Sequence, residues 1–428
     1  MTSENKDEGK YLHNRIKEIV ETIGPGQPGS KGEEERGQYF YEHYKKTKPD
    51  NLEAEEYTFA PNAFLDWIPT VMFLYIAVLI IMITRFFLPY FPARPSISLG
   101  IMIMVLVGFT IAFEEFLSYK EFIDPLFPKE TAENIIATFK PTQEKKAVLI
   151  ISGHHDSARE FFLIYKFKQF YAIVVLISLI LLFLEMFLSI WNTIWDFVLF
   201  FGLILEFHWA FAVSKVLTII ILCLLPISIF MFWFTGDNVV PGAMDNLSGS
   251  VTTLGVARWL KDPENRPKFI EVRTISFGGE EAGLRGSRRY ARRHEKELQR
   301  HAYILNYDGI SKPGVCRIIK GEHTTRTYHD KEWANFVAEA VKNADIKGLK
   351  EINVENAMFG RGGSDSVSFT RINVPATTIQ IMPKLLDELN YYHTRRDTPD
   401  KVSPNALYQG LSVSIAVIKK LEEKYSTQ

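Results

Sequence analysis

The chain has 428 residues, enough for more than one folding unit, and 47% of them are hydrophobic, very unevenly spread along the sequence. Its formal net charge is −1, from 49 lysines and arginines against 50 aspartates and glutamates, so no charge bias points to nucleic acid. The two cysteines, Cys223 and Cys316, form no CxxC pair, which argues against a cysteine zinc site or a disulfide framework. Residues 1–60 are polar and charged, so we expect no N-terminal signal peptide.

The first part of the chain, residues 1–62, has the polar character of soluble sequence. Apolar residues at helical spacing predict a helix over Tyr11–Ile23 and a second one over Glu33–Tyr44. The run Glu56–Phe59 predicts a strand.

Two long apolar runs follow, Ile68–Leu88 and Ile97–Phe113, separated by a Pro-rich turn. Each approaches the ~20 residues that an α-helix needs to cross a bilayer. The alternative, two helices buried in a large soluble core, is disfavoured because soluble helices rarely stay apolar all round for so long. We therefore predict a membrane insertion over residues 63–117 with two transmembrane helices.

A second apolar stretch extends from Phe170 to Phe234, within a predicted membrane insertion over residues 166–235 that holds two or three apolar helices. The polar pairs Asn192-Thr193 and Ser214-Lys215 divide it into three segments: Phe170–Trp191, Ile194–Val213 and Val216–Phe234. The middle segment carries Asp196, Glu206 and His208, which are costly in lipid.

The remaining sequence, residues 118–165 and 236–428, alternates predicted strands and helices, which favours an α/β fold. The strands are predicted at Asn134–Phe139, Ala147–Ile151, Phe269–Phe277 and Ala302–Tyr307. The helices are predicted at Leu284–Arg300, Glu332–Ala344 and Pro404–Lys424.

Five segments carry residue types that can bind metal. In Gly153-His154-His155-Asp156, which follows a buried strand, one His can ligate a metal and the carboxylate two residues on can orient it. The others hold Asp245 in a Gly-rich turn, the pair Glu280-Glu281 after a strand, Asp308 at a strand end, and His393 in a loop. Each segment alone has an ordinary structural reading, for example a turn aspartate or a solvated glutamate pair at a helix start. Together they supply the nitrogen and oxygen ligands that suit zinc.

In this order and context, the five segments resemble the co-catalytic zinc aminopeptidases, family twenty-eight of the metallopeptidases, typified by the secreted bacterial leucyl aminopeptidases. The resemblance implies a mixed central β-sheet flanked by helices, the zinc-exopeptidase fold, here with inserted transmembrane helices. It also implies two zinc ions and the hydrolysis of peptide bonds, most simply as an aminopeptidase. Residues 1–62, 118–165 and 236–428 would then be three parts of one peptidase domain.

The resemblance also assigns roles to individual residues. His154 and Asp308 would hold one zinc, Glu281 and His393 the other, with Asp245 bridging both, Glu280 as general acid and base, and Asp156 orienting His154. The attacking water would lose its proton to Glu280, which would then protonate the leaving amine. The bond Asp245-Asn246 matches a position that the family often builds as a cis peptide.

Both apolar stretches interrupt the peptidase sequence, and the second separates His154 from Asp245. Each insertion must therefore cross the bilayer an even number of times, and we expect one of the three later segments, Ile194–Val213, not to span. The site should lie near the membrane surface, where the substrates would be peptides released near or from the membrane. Lys166 and Lys168 beside the second insertion favour a cytoplasmic peptidase domain under the positive-inside rule.

Other readings remain open at this stage. A dipeptidase or a carboxypeptidase could use the same fold, and a non-catalytic membrane receptor or scaffold could retain it for binding. A glutaminyl cyclase is disfavoured, because the cyclases keep one zinc and this chain retains both His154 and Asp308. A transporter is disfavoured by the small number of apolar segments and the lack of an inverted repeat. Cobalt and manganese also bind such a set of nitrogen and oxygen ligands. The expected partners are a peptide substrate and the lipid bilayer.

Overall fold

The computed structural model describes residues 3–87, 91–203, 208–357, 362–383 and 390–427, and within them one mixed β-sheet forms the centre of the protein. Its strands are β1 Asn51–Phe59, β2 Glu130–Phe139, β3 Ala147–His154, β4 Ile270–Phe277, β5 Ala302–Ile310, β6 Val315–Glu322, β7 Thr327–Tyr328, β8 Glu351–Ala357 and β9 Ala376–Ile381. They are arranged in the order β1-β2-β4-β3-β5-β9-β6-β7, with β8 also paired to β6. The fold class expected from the sequence, a mixed central sheet flanked by helices, is confirmed.

Helices pack on both faces of this sheet and form a separate bundle. They are α1 Ser3–Thr22, α2 Lys31–Lys45, α3 Trp67–Thr84, α4 Arg94–Ile111, α5 Phe162–Phe167, α6 Tyr171–Phe200, α7 His208–Ser228, α8 Ser248–Leu260, α9 Arg285–Arg293, α10 Glu295–His301, α11 Lys331–Asn343, α12 Ser366–Thr370 and α13 Pro404–Ser426. The single helix predicted over Leu284–Arg300 is wrong, because α9 ends at Arg293 and α10 begins at Glu295, with His294 between them.

The central strands β4, β3, β5 and β9 run parallel, whereas β1, β2 and β6 pair antiparallel at the two sides. Alternate residues of β3 point to opposite faces, as the pleat of a strand requires. Leu149 and Ile151 enter the larger core with α1, α8, α11 and α13, while Val148 and Ile150 enter the core beneath α9, α10 and α12. The parallel strands thus bring their carboxyl ends to one edge, where open α/β sheets place their sites.

Four helices in the described part of the chain are long and apolar enough to cross a membrane, by length and composition. They span Pro61–Thr84, Arg94–Leu117, Tyr171–Phe200 and His208–Trp233 when short flanking helical turns are included. Between 22% and 44% of each apolar window is buried inside the protein, so most of the apolar surface faces outward. The helices fall in two pairs, one in each of the two stretches predicted as insertions.

The division of the second stretch into three segments is wrong. Residues 194–200 continue α6, and residues 208–213 begin α7, so the middle segment is not an element of its own; Glu206 lies outside the described residues. The polar residues are accommodated by hydrogen bonds inside the bundle rather than by a chain break. Thr193 Oγ1 donates to the carbonyl oxygens of Ser189 and Ser98, and Ser214 Oγ donates to Asn192 Oδ1 at 2.7 Å.

A buried ion cluster explains how Asp196 fits into an apolar bundle. Its side chain is fully buried, and it lies 2.9 Å from Arg85 Nη2 and 3.2 Å from Arg94 Nε. Ser98 Oγ also donates to it. Arg85 directly follows α3 and Arg94 is the first residue of α4, so this cluster ties the two helix pairs together at the end away from the sheet.

Candidate metal centre

The sheet places three of the expected site residues at neighbouring strand ends. His154 is the last residue of β3, Glu281 follows the end of β4 in a Gly-rich turn, and Asp308 lies near the end of β5. The turn after β4 needs glycine, because Gly279 has φ +59 and a Cβ there would lie 2.8 Å from the Tyr57 hydroxyl.

Loops supply the two remaining residues of the expected set. Asp245 lies between Gly242 and the start of α8, and its peptide bond to Asn246 is cis, as the resemblance predicts. His393 lies between β9 and α13, where its ring packs between Tyr392, stacked at 3.9 Å between centroids, and Phe161 at 4.4 Å.

These side chains converge on one buried cluster. His154, Asp245 and Glu281 each offer a ligand atom within 4.8 Å of the others. His393 Nε2 lies 3.1 Å from Asp245 Oδ2 and 3.2 Å from Glu281 Oε2, and His154 Nε2 lies 3.4 Å from Asp245 Oδ1. Asp308 lines the same cavity as Asp245, Glu281 and His393. Asp245 therefore lies between the two histidines, with one carboxylate oxygen toward each.

Asp156 and Glu280 occupy different sides of His154. Asp156 Oδ1 lies 3.2 Å from His154 Nδ1, so it can fix which ring nitrogen carries the proton. Glu280 Oε2 lies 3.7 Å from His154 Nε2, on the cavity side. His155 is not part of the cluster, since its Nδ1 lies 3.0 Å from Ser276 Oγ, and burial lowers the pKa of His155 to about 4.

Two acidic side chains hold the site loops by accepting hydrogen bonds from backbone N–H groups. Neither residue was assigned a role from the sequence. Asp397, fully buried, accepts hydrogen bonds from the backbone N–H of Met244 at 2.8 Å and of Asp245 at 3.0 Å. Glu33 accepts one from the backbone N–H of Gly279 at 2.6 Å. In the sequence, the one signal for a role of Asp397 in the site is that it occurs four residues after His393.

Arg285 connects the turn after β4 to the end of the first apolar helix pair. Its fully buried side chain lies 2.7 Å from Asp124 Oδ1 and 3.5 Å from Glu115 Oε2. Because Arg285 follows Glu280 and Glu281 closely in the chain, the position of this turn depends on the helix bundle as well as on the sheet.

Burial and crowded charge shift the pKa values of the site. Burial, with the negative charges of Glu281, Asp365 and Asp308, raises the pKa of Glu280 well above the usual value of a glutamate, against the opposing charge of His154. Burial would lower the pKa of His393, but the charge of Glu281 and the contact with Asp245 raise it to about 10. Carboxylates gathered in this way need a positive partner, and a cation in the cluster would lower the pKa of these acids.

Buried nitrogen and oxygen atoms of the cluster that have no hydrogen-bond partner in the described part of the chain indicate that the cluster can bind a metal ion. His154 Nε2 and Glu281 Oε1 are buried and make no hydrogen bond within the described residues. Buried polar atoms are nearly always paired, so unpaired nitrogen and oxygen atoms of residues in this cluster fit the coordination of a cation. Imidazole nitrogen and carboxylate oxygen are ligands that suit zinc.

A cavity of about 230 Å³ opens directly onto the cluster. Asp245, Glu280, Glu281, Asp308 and His393 form its polar end. The opposite wall is apolar and includes residues of α6. The arrangement can therefore present a substrate carbonyl to the cluster while the rest of the substrate lies against apolar side chains.

Comparisons with known proteins agree with this geometry. Residues 231–418 match the model of peptidase family M28. Aminopeptidase YwaD of Bacillus subtilis is 31% identical over 187 residues, which cover 43% of this chain and 38% of that protein. The chain thus matches well under half the length of this curated relative.

Among solved structures, two aminopeptidases share the fold over 96% of this chain. The aminopeptidase from Aneurinibacillus sp. strain AM-1 superposes with a TM-score of 0.53 at 15% identity, covering 96% of this chain and 93% of that one. BSAP, a zinc aminopeptidase from Bacillus subtilis, superposes with a TM-score of 0.53 at 16% identity, covering 96% and 95%. At these identities the likeness concerns the fold.

The fold and the site define an α/β domain of the zinc-exopeptidase type, with a buried cluster of histidines and carboxylates at the carboxyl ends of its parallel strands. The part of the chain that supplies Asp245, Glu280, Glu281, Asp308 and His393 matches peptidase family M28.

Proposed function

We propose that the protein is a membrane-bound zinc aminopeptidase. The observation that carries the proposal is the cluster itself, in which His154, Asp245 and Glu281 offer facing ligand atoms beside a substrate-sized cavity. The match of residues 231–418 to a peptidase family and the similarity to YwaD and BSAP, named as aminopeptidases, support the same reaction. A scaffold that had lost catalysis would not be expected to keep both the ligand set and Glu280.

We propose two ions because several carboxylates are crowded in the cluster and because Asp245 lies between two histidines. Asp245 directs one oxygen toward each histidine, so His154 with Asp308 and His393 with Glu281 would complete two sites that share Asp245. The carboxylates of these sites are crowded in a buried space, and two divalent cations would offset their charge. When bound, the ions would polarise the scissile carbonyl and acidify the attacking water.

The protein residues then divide the remaining work. Glu280, on the cavity side of His154, takes a proton from the attacking water as the water adds to the scissile carbonyl, and delivers it to the leaving amine as the C–N bond breaks. Asp156 holds His154 with Nδ1 turned away from the cavity, so that Nε2 faces the cluster. Asp397 and Glu33 fix the loops of Asp245 and Glu280 through backbone N–H groups. The products are a free amino acid and a shortened peptide.

We also propose that α3, α4, α6 and α7 cross the membrane, so that each insertion makes two crossings and returns the chain to the sheet. This arrangement satisfies the even-number requirement that the split of His154 from Asp245 imposes. Lys166 and Lys168 flank α6 on the sheet side, which favours a cytoplasmic peptidase domain. A reporter inserted after Gly202 should fall on the opposite side of the membrane from one at the C-terminus; the same side for both would refute the topology.

The proposed reaction is tested with detergent-purified protein, using peptides with a free amine and the same peptides with an acetylated N-terminus. We expect release of the N-terminal residue from the free-amine peptides only, loss of activity after removal of metal by a chelator, and recovery with Zn²⁺. Bound metal without cleavage of any peptide would favour a binding role. Cleavage of the acetylated peptides would contradict an aminopeptidase.

A further inference from the structure

The cavity at the metal cluster does not end inside the peptidase domain. From Asp245 and Glu281 it continues past the paired rings of Phe161 and Phe234 to the first turns of α6, where Tyr171 and Leu179 are part of its wall. Helix α6 is one of the four apolar helices that are long enough to span a membrane. One continuous space therefore joins the cluster to a helix proposed to lie in lipid.

The part of α6 that lines this space is one face of the helix. Ala172, Val175, Leu176 and Leu179 follow the i, i+3, i+4, i+7 spacing that brings side chains to the same side. All four are apolar. At ~1.5 Å per residue, the lining from Tyr171 to Leu179 extends about 12 Å along the helix, which is the length of three to four residues of extended peptide at ~3.3 Å each.

This groove is also open to the outside of the bundle. Leu176 lines the cavity and yet is 51% exposed. Ile173, on a neighbouring face that does not line the cavity, is 49% exposed, as expected for a residue in contact with lipid. Because Leu176 lies three residues after Ile173 on the helix, it stands at the border between the cavity and the outward surface of α6, which marks a lateral opening toward the surrounding apolar phase.

We propose that this face of α6 binds the apolar residues that follow the N-terminal residue of the substrate, and that such peptides enter the site sideways from the bilayer. The proposal rests on the proposed aminopeptidase function and names its substrate class: peptides with a free amine followed by three to four apolar residues. The groove is longer than one side chain, so it fits an extended peptide rather than only the side chain of the first residue. In water, burial of such a segment against Leu176 and Leu179 would be favourable, and in the bilayer the segment is concentrated beside the opening.

The test uses the full-length protein in lipid nanodiscs with two free-amine peptides of equal length, Leu-Leu-Leu-Leu-Lys-amide and Leu-Ser-Asn-Ser-Lys-amide. We expect a kcat/KM at least tenfold higher for the apolar peptide. The substitution Leu176→Trp, which fills the groove, should reduce this ratio at least fivefold. Leu176→Asn, which makes the groove polar, should reduce it in the same direction and guards against a folding defect of the larger residue.

Ile173→Trp is the matched control, because it adds the same ring to α6 one turn away, at an exposed position that does not line the cavity. It should keep the native ratio, which separates binding in the groove from simple partition of the apolar peptide into lipid. Equal ratios in Leu176→Trp, Leu176→Asn and Ile173→Trp, with both peptides still cleaved, would overturn the groove while leaving the aminopeptidase intact. Failure to cleave either peptide would overturn both proposals.

Discussion

Asp397 Oδ2 accepts a hydrogen bond from the backbone N–H of Asp245 at 3.0 Å. The loop between β9 and α13 therefore fixes the position of Asp245, which lies between the two histidines of the cluster. The other oxygen of Asp397 accepts the N–H of Met244. Asp245 is therefore held by its backbone while its carboxylate remains available. Outer contacts of this kind determine how well a metal site is organised before the ion binds.

We expect Asp397→Asn to weaken metal binding about 10- to 100-fold, because an amide can accept only one of the two N–H groups and presents its own donors to the other. The measurement is zinc affinity by competition with a chelator of known affinity. Asp400→Asn is the control, since Asp400 is 66% exposed and pairs only with neighbours in its own turn. Equal zinc affinity in the two variants would show that the contact to Asp245 does not organise the site.

The ion cluster around Asp196 predicts a large effect on stability. Asp196→Ala leaves the positive charges of Arg85 and Arg94 beside each other in the bundle, and removal of one partner of a buried ion pair costs about 3–5 kcal/mol. We expect a clearly lower unfolding temperature in detergent. The triple variant with Arg85→Met and Arg94→Met should recover most of the loss, because no uncompensated charge remains.

Asp237→Ala is the control for this experiment, since Asp237 is an exposed carboxylate in the loop after α7. It should unfold at the native temperature. If Asp196→Ala also unfolded at the native temperature, the charges around it would have to be solvated, and the location of this end of the bundle inside an apolar phase would be wrong.

Glu121 predicts a dependence of stability on pH. It lies 2.6 and 2.7 Å from the two terminal nitrogens of Arg289. Burial would raise the pKa of Glu121, but the hydrogen bonds of Arg289 and the nearby charge of Arg285 lower it to about 2. A lowered folded-state pKa means that the contribution is complete above the unfolded value of ~4.3 and is lost as the pH falls from there toward 2.

We therefore expect Glu121→Gln to be less stable than the native protein at pH 7 by about 2 kcal/mol, the value of a hydrogen bond between charged groups. The difference should shrink between pH 4.5 and pH 2. Denaturant unfolding at several pH values measures it, with the exposed Glu264→Gln as control. A difference that grew on acidification would contradict the assigned direction of the shift.

Strand ends and polar residues made most of the site predictable from the sequence. A buried apolar run such as Ala147–Ile151 indicates where a strand ends. Because the carboxyl ends of parallel strands lie at one edge of a sheet, His154, Glu281 and Asp308 could be expected to lie near one another. The positions of Asp245 and His393 needed the family resemblance, because no periodicity fixes a loop. The role of Asp397 could not be predicted, since it acts on the backbone of residues far away in the chain.

The remaining errors of the sequence-based prediction also arise because local sequence does not show tertiary contacts. Strand β9, Ala376–Ile381, is fully buried and contains two adjacent threonines, so it shows neither alternation nor a continuous apolar run. Asn192 and Thr193 suggested a break in α6, but their hydrogen-bond partners are on α4 and α7 as well as on α6 itself. Local sequence contains no sign of such partners.

The central claim, that Glu280 moves the proton while other residues hold the metal, is tested most directly by Glu280→Gln. The measurement is kcat/KM for a free-amine peptide together with bound zinc per chain in the same preparation. We predict a loss of about 10²- to 10⁴-fold in kcat/KM, with the zinc content of the native protein. Activity close to native would show that the base is another residue, and loss of zinc would show that Glu280 is a ligand.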